Sequence, residues 1–441
     1  MHRPAVILGL LALLVCAGSA SSASGGRTVS GTTFTPSADA YVSAAAPKRN
    51  FGRARILRAA ARPSTKSYLQ FNVAGLDAPV TSATLRLYAR SGSKGLAVRS
   101  TRSNWTERGI KFSNAPRAGS VVGRVKRVRA RHWVSINVTH AVKGNGAVSF
   151  ALTGSGTVAS REAGAKRPQL IVTATPPTLL AAGDVGFCGQ PYDEATGALI
   201  KTIPGTVAAL GDLAYEHGTA AEFAACYQPS WGAFKNRTRP APGNHEYEGD
   251  AAASGYFGYW GSRAGNPAQG WYSYDLGAWH IVVLNSECGF IGGCFAGSPE
   301  ETWLRADLAA HPRACTLAYW HEPVFSERSG TGEADKVPFW QALYNAHADI
   351  VLNGHSHNYQ RFAPQTPGGA FDPGAGIREF VVGTGGNPTL HPLDQPLPNI
   401  EAADNTTWGV LKLTLRNSGY DWQFLRAAGG NFSDSGSQAC H

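Results

Sequence analysis

An all-β sandwich followed by an α/β domain is the multidomain architecture this sequence predicts, and three observations carry it. The net charge reverses sign part-way along the chain. Before that point short apolar runs alternate with period two, and after it buried strand-like runs alternate with helix-like segments. The 441 residues exceed what one hydrophobic core usually organises. Residues 25–175 hold 25 Lys and Arg against 4 acids, a net of +21, whereas residues 176–441 hold 14 against 26, a net of −12. The switch falls at Thr173-Ala174-Thr175-Pro176-Pro177-Thr178, where a proline pair interrupts regular structure. The expected divisions are a leader at 1–24, a β-sandwich at 27–175 and an α/β domain at 176–441.

At the start, Arg3 precedes an apolar stretch from Ala5 to Val15 and small residues from Ala17 to Ala23, the layout of a secretory signal peptide. That apolar run is too short to span a bilayer. Cleavage is expected near Ala20 to Ser24, giving a secreted, extracellular protein. Removal of Cys16 leaves Cys188, Cys226, Cys288, Cys294, Cys315 and Cys440, an even set that suits disulfides in an exported chain. Several pairings are open, and Cys188 with Cys226, Cys288 with Cys294 and Cys315 with Cys440 is the set expected here. None has the CxxC spacing of a structural zinc site.

In the basic region, strands are expected at Ala40 to Val42, Ser67 to Phe71, Ala83 to Tyr88, Trp133 to Val138, Val148 to Leu152 and Leu170 to Thr173, with hardly any helical pattern between them. Asp39-Ala40-Tyr41-Val42, Asn50-Phe51-Gly52, Thr84-Leu85-Arg86-Leu87-Tyr88, Trp105-Thr106-Glu107 and Pro168-Gln169-Leu170-Ile171-Val172 give it a further character. Through these residues it resembles the DNRLRE-type sandwich grouped with carbohydrate-binding modules. The run from Arg124 to Arg131 is rich in Arg and Lys with Val125 and Val128 between them, and reads as a strand with alternate residues on one face. With so lopsided a charge, the module is expected to bind an anionic polymer: an acidic polysaccharide, a wall polymer of teichoic type or extracellular nucleic acid. No motif that reads nucleic acid accompanies it.

In the acidic region apolar runs repeatedly end in polar residues. Thr178 to Ala182 leads into Gly183-Asp184-Val185-Gly186, Thr206 to Leu210 into Gly211-Asp212-Leu213-Ala214-Tyr215, Thr316 to Trp320 into His321, and Asp349 to Asn353 into Gly354-His355-Ser356-His357. Helices are expected at Glu301 to His311 and Val337 to His347. Such folds place active sites at the carboxyl ends of their strands. Asp184, Asp212, Tyr215, Asn244, His321, His355 and His357 together supply carboxylate, phenolate, amide and imidazole groups, which suit a trivalent beside a divalent first-row metal. Asp212 is the natural bridge, since two cations repel without an anion between them.

With Gly243-Asn244-His245-Glu246 and His321 followed by Pro323, these blocks resemble the calcineurin-like metallophosphoesterases, and within them the purple acid phosphatases, over nearly all of residues 178–441. The resemblance implies an αββα sandwich. It also implies Fe(III) held by Asp184, Asp212, Tyr215 and His357, and a divalent iron, zinc or manganese held by Asp212, Asn244, His321 and His355. Gly186 in the first block and Tyr215 in the second point to the purple subgroup. The implied chemistry is attack on phosphorus by a metal-bound hydroxide, with His245 as the catalytic residue that stabilises the charge or protonates the leaving group. One departure stands out: purple acid phosphatases commonly carry a further His after the His321-type ligand, and Phe325-Ser326-Glu327-Arg328-Ser329-Gly330 has none. Glu322, Arg328 and His217 are the candidate substitutes. His280 sits within a strand pattern and reads as structural, while Arg361 either braces its loop or approaches substrate.

The expected function is thus a secreted phosphomonoesterase docked near a polymer. The alternatives are a phosphodiesterase acting on nucleotides or wall polymers, and a wall-binding protein with an inactive hydrolase domain.

Overall fold

The computed structural model describes residues 31–330, 332 and 334–441; the expected leader at 1–24, with Cys16, lies outside them. Among the described residues the strands form four sheets, two before residue 175 and two after it.

The first pair is an antiparallel sandwich. One sheet orders Thr32–Phe34, Gln169–Ala174, Val80–Tyr88 and Trp133–Asn137. The other orders Ala38–Ser43, Thr65–Val73, Gly146–Ala159, Gly95–Thr101 and Val121–Val125, with Ile56–Ala59 also pairing with Gly146–Ala159. Alternation decides which side chains point inward: Leu85 and Leu87 are buried while Thr84, Arg86 and Tyr88 are partly exposed. Leu69, Phe71, Leu85, Val98, Ile136, Phe150 and Leu170 fill the space between the sheets, with Phe71 and Phe150 edge to face at 6.2 Å.

The expected strand from Arg124 to Arg131 does not form. Strand pairing ends at Val125; beyond it only Val128 bridges, to Ser93, and Arg131 has left-handed backbone at φ 60°. The reason is that Val128 is the one residue in the second half of the run with a buried place to occupy. Arg124, Lys126, Arg127, Arg129 and Arg131 are all exposed, but on a strand end and turn, not on one strand face.

The module's few acids are spoken for. Arg161 pairs with Glu107 at 2.6 Å and Glu162 at 3.7 Å, and its backbone N–H donates to Asp39 at 2.7 Å. Asp77 faces the second half of the chain, where Ser418 Oγ donates to it at 3.0 Å and Arg416 lies 3.7 Å away. Close by, Thr175 N–H donates to the Pro79 carbonyl at 3.1 Å. Gly277, at φ 69°, passes so near Pro177 and Pro79 that a Cβ there would meet them at 2.9 and 3.1 Å.

After residue 177 one sheet orders Thr238–Ala241, Thr206–Leu210, Thr178–Ala182, Gly409–Arg416, Gly419–Arg426 and Ser435–Ala439. The other orders Tyr272–Leu276, Trp279–Val283, Cys315–Tyr319, Ile350–Asn353, Arg378–Val382, Tyr359–Phe362 and Ile400–Asp404. The central strands are parallel and buried on both faces, which explains their unbroken apolar runs. Leu180, Val207, Trp279, Ile281, Leu317, Leu352, Phe380 and Leu411 pack between the sheets. Val282, Ala318 and Val351 point the other way, against Leu304, Phe339, Trp340 and Leu343 of helices Pro299–Ala310 and Val337–Asn345. The first of these helices starts where Ser298 Oγ accepts the Glu301 N–H and Pro299 opens the turn. Helix Tyr192–Thr202 packs beside Gly409–Arg416, giving the layered αββα arrangement.

Disulfides join Cys188 to Cys226, Cys288 to Cys294 and Cys315 to Cys440, the set expected from the sequence. Among the described residues no helix is long and apolar enough to cross a membrane.

His280, in Trp279–Val283, is buried between Asp307 at 2.7 Å and Asp275 at 3.3 Å and serves the packing of helix against sheet. Burial opposes charge on the ring, but the bonds to Asp307 and Asp275 outweigh it and raise its pKa above the ordinary value. The stabilisation is therefore complete below the unfolded value of about 6.5 and is lost as pH rises through the higher folded value. The melting-temperature gap between wild type and His280→Gln is expected to be widest below about pH 6.5 and to narrow as pH rises past it. A gap that does not change with pH would remove the ion pairs from this account.

Candidate metal centre

Five strand ends converge at one place. Asp184 follows Thr178–Ala182, Asp212 follows Thr206–Leu210, Asn244 and His245 follow Thr238–Ala241, His321 follows Cys315–Tyr319, and His355 and His357 follow Ile350–Asn353. To turn carboxylates and an imidazole inward straight off the strands, the backbone is left-handed at Asp184 (φ 61°), Asp212 (φ 52°) and His355 (φ 65°). The neighbouring glycines leave the room: a Cβ on Gly243 would stand 2.3 Å from Asp212 Oδ1, and one on Gly354 2.8 Å from Asp184 Oδ2.

All seven donors named from the sequence meet there. Tyr215 hydroxyl lies 3.0 Å from Asp184 Oδ1, 3.2 Å from Asp212 Oδ2 and 3.1 Å from His357 Nε2. His321 Nε2 is 3.1 Å from Asp212 Oδ2, and His355 Nδ1 is 3.2 Å from Asn244 Oδ1. Backbone N–H groups of His355 and His245 donate to Asp184 Oδ2 at 2.9 Å and Asp212 Oδ1 at 3.0 Å. His245 stands at the edge, with Nδ1 against the Glu216 carbonyl at 2.5 Å and Nε2 3.7 Å from Asp212 Oδ2.

The donor set fits cations. His321 Nδ1 faces the Leu210 carbonyl at 2.7 Å, so that nitrogen carries the proton and Nε2 presents a lone pair. Nε2 is buried without a hydrogen-bond partner, its approach to Asp212 lacking the alignment of a bond. A lone pair cannot rest against a carboxylate unless a proton or a metal cation lies between them. His357 repeats the pattern, with Nδ1 on the Thr389 carbonyl at 2.9 Å and Nε2 turned inward. Burial works to raise both carboxyls, yet both are held below the usual range, Asp184 by His357 and Asp212 by His321 and His245. Burial and then the two carboxylates push the Tyr215 phenol well above its ordinary value, so only a strongly charged cation among them would draw off its proton. Asp212, His321 and His355 bring ligand atoms within 4.8 Å of one another. A groove of about 650 Å³ between His311, Arg313 and His347 is lined by none of these residues.

Several supporting residues were not given a role from sequence. Glu246 is buried, and its carboxylate accepts N–H bonds from Asp212 at 3.0 Å, Leu213 at 2.7 Å and Gly243 at 2.7 Å, fastening two of the ligand loops together. Burial and then the charge of Asp212 push its pKa up to about 7. His391 lies flat on His357, ring centroids 3.8 Å apart, and its Nδ1 accepts both the His357 backbone N–H at 3.0 Å and the Arg328 guanidinium. The sequence signal for this return of the chain is the cluster Gly383, Gly385, Gly386: Cβ atoms there would strike Asp184 or the backbone beside it.

The candidate substitutes for a loop histidine separate. Glu322 pairs with Lys336, and His217 is exposed 3.8 Å from Glu248. Arg328 alone of the three touches His391, which is stacked on the candidate ligand His357. Arg361 pairs with Asp434 at 2.7 Å and with Glu401, and covers Trp422 at 4.9 Å. It is a brace.

Residues 30–174 match the family model of carbohydrate-binding module family 96, and residues 177–359 that of the calcineurin-like phosphoesterases. Among curated proteins, Arabidopsis thaliana purple acid phosphatase 15 is 29% identical over 48% of this chain and 45% of its own length. Purple acid phosphatase 22 of the same plant is 28% identical over 42% of this chain and 51% of its own length. The chain thus spans about half the length of these relatives. A solved purple acid phosphatase from yellow lupin (Lupinus luteus) seeds superposes with TM-score 0.46 and 15% identity, covering 85% of this chain and 72% of that one.

Glu246→Ala would leave three buried N–H groups without an acceptor, a cost of roughly 2–4 kcal/mol. Guanidinium unfolding is expected to register that loss, together with reduced retention of added metal on gel filtration. An unfolding free energy unchanged from wild type would show that Glu246 does not hold the loops.

Proposed function

The chain joins a domain of carbohydrate-binding module family 96 to a calcineurin-like phosphoesterase domain, and from that premise we propose that it is a secreted phosphomonoesterase of the purple acid phosphatase type. The observation that carries the reading is the donor set itself, with carboxylates, phenol, amide and imidazoles aimed at one place and a buried His321 nitrogen that lacks a partner.

In this reading Asp184, Asp212, Tyr215 and His357 hold a ferric ion, while Asp212, Asn244, His321 and His355 hold divalent iron, zinc or manganese. When bound, two such ions supply Lewis acidity toward a phosphoryl group and make a water nucleophilic at mildly acidic pH. The chain's own residues do the rest. Leu210 and Thr389 carbonyls fix the tautomers of His321 and His357, and Glu246 keeps Asp212 in place through the loop backbone. His245 places one proton on Nδ1, against Glu216, and so turns Nε2 toward the reacting group, where it can steady developing charge or protonate the departing alkoxide. Extracellular placement is supported by the disulfides. With a leader at 1–24, the functional chain would be a module at 27–175 and a hydrolase at 176–441.

The module's proposed partner is an anionic polysaccharide or wall polymer. Tyr41 and Phe51 stack at 4.2 Å between two hollows of about 390 and 450 Å³, with Arg58 over Tyr41 and Arg49 over Phe51. Rings with flanking guanidinium groups suit a sugar face carrying carboxylate or phosphate.

On purified metal-loaded protein at mildly acidic pH, turnover of an aryl phosphate monoester is expected to exceed that of the diester. Asp212→Asn should lower it by about a thousandfold or more while the fold is retained. A preference for diester would move the reading to a phosphodiesterase; no metal-dependent turnover of either ester would favour a wall-binding protein with an inactive hydrolase domain. Tyr215→Phe is expected to lose the visible absorption of the ferric form. Affinity electrophoresis in a uronate polysaccharide is expected to retard wild type, less so with added salt, and Tyr41→Ala should weaken binding about tenfold. Equal retardation by a neutral polysaccharide would refute the polyanion assignment.

A further inference from the structure

We propose that Arg328 contacts the phosphoryl group of the substrate and biases the site toward dianionic monoesters over diesters; the proposal rests on the phosphoesterase reading above. It begins with where the arginine is held. Arg328 is partly exposed, and its guanidinium donates to His391 Nδ1. His391 is stacked on His357 at 3.8 Å with 14° between the ring planes, so the arginine holds the edge of the ring that covers His357.

The loop that presents it is built as a platform. Ser326 Oγ lies 2.8 Å from Ser356 Oγ, in the segment between His355 and His357, and accepts the Arg328 N–H at 3.2 Å and the Gln360 amide at 3.1 Å. Glu327 N–H donates to Gln360 Oε1 at 2.7 Å, and the Glu327 carboxylate accepts the Leu397 N–H at 3.2 Å. One residue further on, Ser329 N–H donates to Asp394 at 2.8 Å. Arg328 is thereby tied on one flank to the histidine loop and on the other to the segment carrying His391.

A guanidinium offers a planar fork that matches two phosphoryl oxygens, unlike the point charge of a lysine. A monoester phosphoryl group carries one more negative charge than a diester and has its third oxygen free of carbon. An arginine on this flank therefore gains more from a monoester, which is the distinction the metal ligands by themselves do not make. The rival account is that Arg328 merely props His391, and through it His357. In that case its loss would disturb metal binding and reduce both reactions alike.

The test uses full-length metal-loaded protein with Arg328→Ala and Arg328→Lys, an aryl phosphate monoester and diester, and orthophosphate. Calorimetry with orthophosphate is expected to give affinity at least about tenfold weaker in Arg328→Ala, partly recovered in Arg328→Lys. kcat/KM is expected to fall about 30- to 100-fold on the monoester and by less than about fivefold on the diester, with metal content and melting temperature unchanged. Equal losses on the two esters, a drop in metal content, or unaltered orthophosphate affinity would overturn the proposal. Wild type that binds orthophosphate through Arg328 yet turns over neither ester would refute the phosphatase reading and leave the contact standing. Wild type that does neither would refute both.

Discussion

Asp184 and Asp212 are buried beside each other at the ends of two adjacent parallel strands, and their mutual repulsion is the constraint from which the surrounding architecture follows. Each would be neutral if left alone in that position; burial and the neighbouring carboxylate both push toward protonation. They stay ionised because main-chain N–H groups donate to them and because the imidazoles aimed at them bring a cation, a proton on Nε2 or a metal ion, between ring and carboxylate. That demands backbone close to carboxylate, which side chains would obstruct, so glycines line the approach and three residues adopt left-handed backbone. The rest of the α/β domain keeps these loops in register: parallel strands buried on both faces deliver them in one direction, and Glu246 fastens the loops after Asp212 and before Asn244 through three N–H bonds.

Much of this was legible because the determinants are local. Thr178–Ala182 and Thr206–Leu210 are unbroken apolar runs stopped by Gly-Asp, and the structure ends the strands at those residues. The same locality explains what sequence obscured. Gly95–Thr101 and Val121–Val125 are strands whose polar or glycine-containing runs lack clean alternation, since much of each is only partly buried. The Arg124 to Arg131 run failed in the opposite way: its alternation imitates a strand, but pairing requires a neighbour, and past Val125 only Ser93 bridges to it. His391 is the clearest case of a residue that no local pattern reveals. It follows no strand and reaches the centre because the chain folds back across Asp184 through glycines that tolerate close backbone approach. Arg361 shows that position in a motif does not settle a role, since Asp434, Glu401 and Trp422 account for its side chain.

The short passage from Ala174 to Thr178 is flanked by contacts of Pro79, Asp77 and Gly277, and residues 31–441 make one compact unit. A flexible tether would let a bound polymer wander and would present its phosphate groups at an effective concentration set by tether length. With a compact joint, a polymer captured as proposed above would meet a ruler: esters at one offset along the bound strand would be delivered repeatedly, and those elsewhere on it would gain nothing from the attachment.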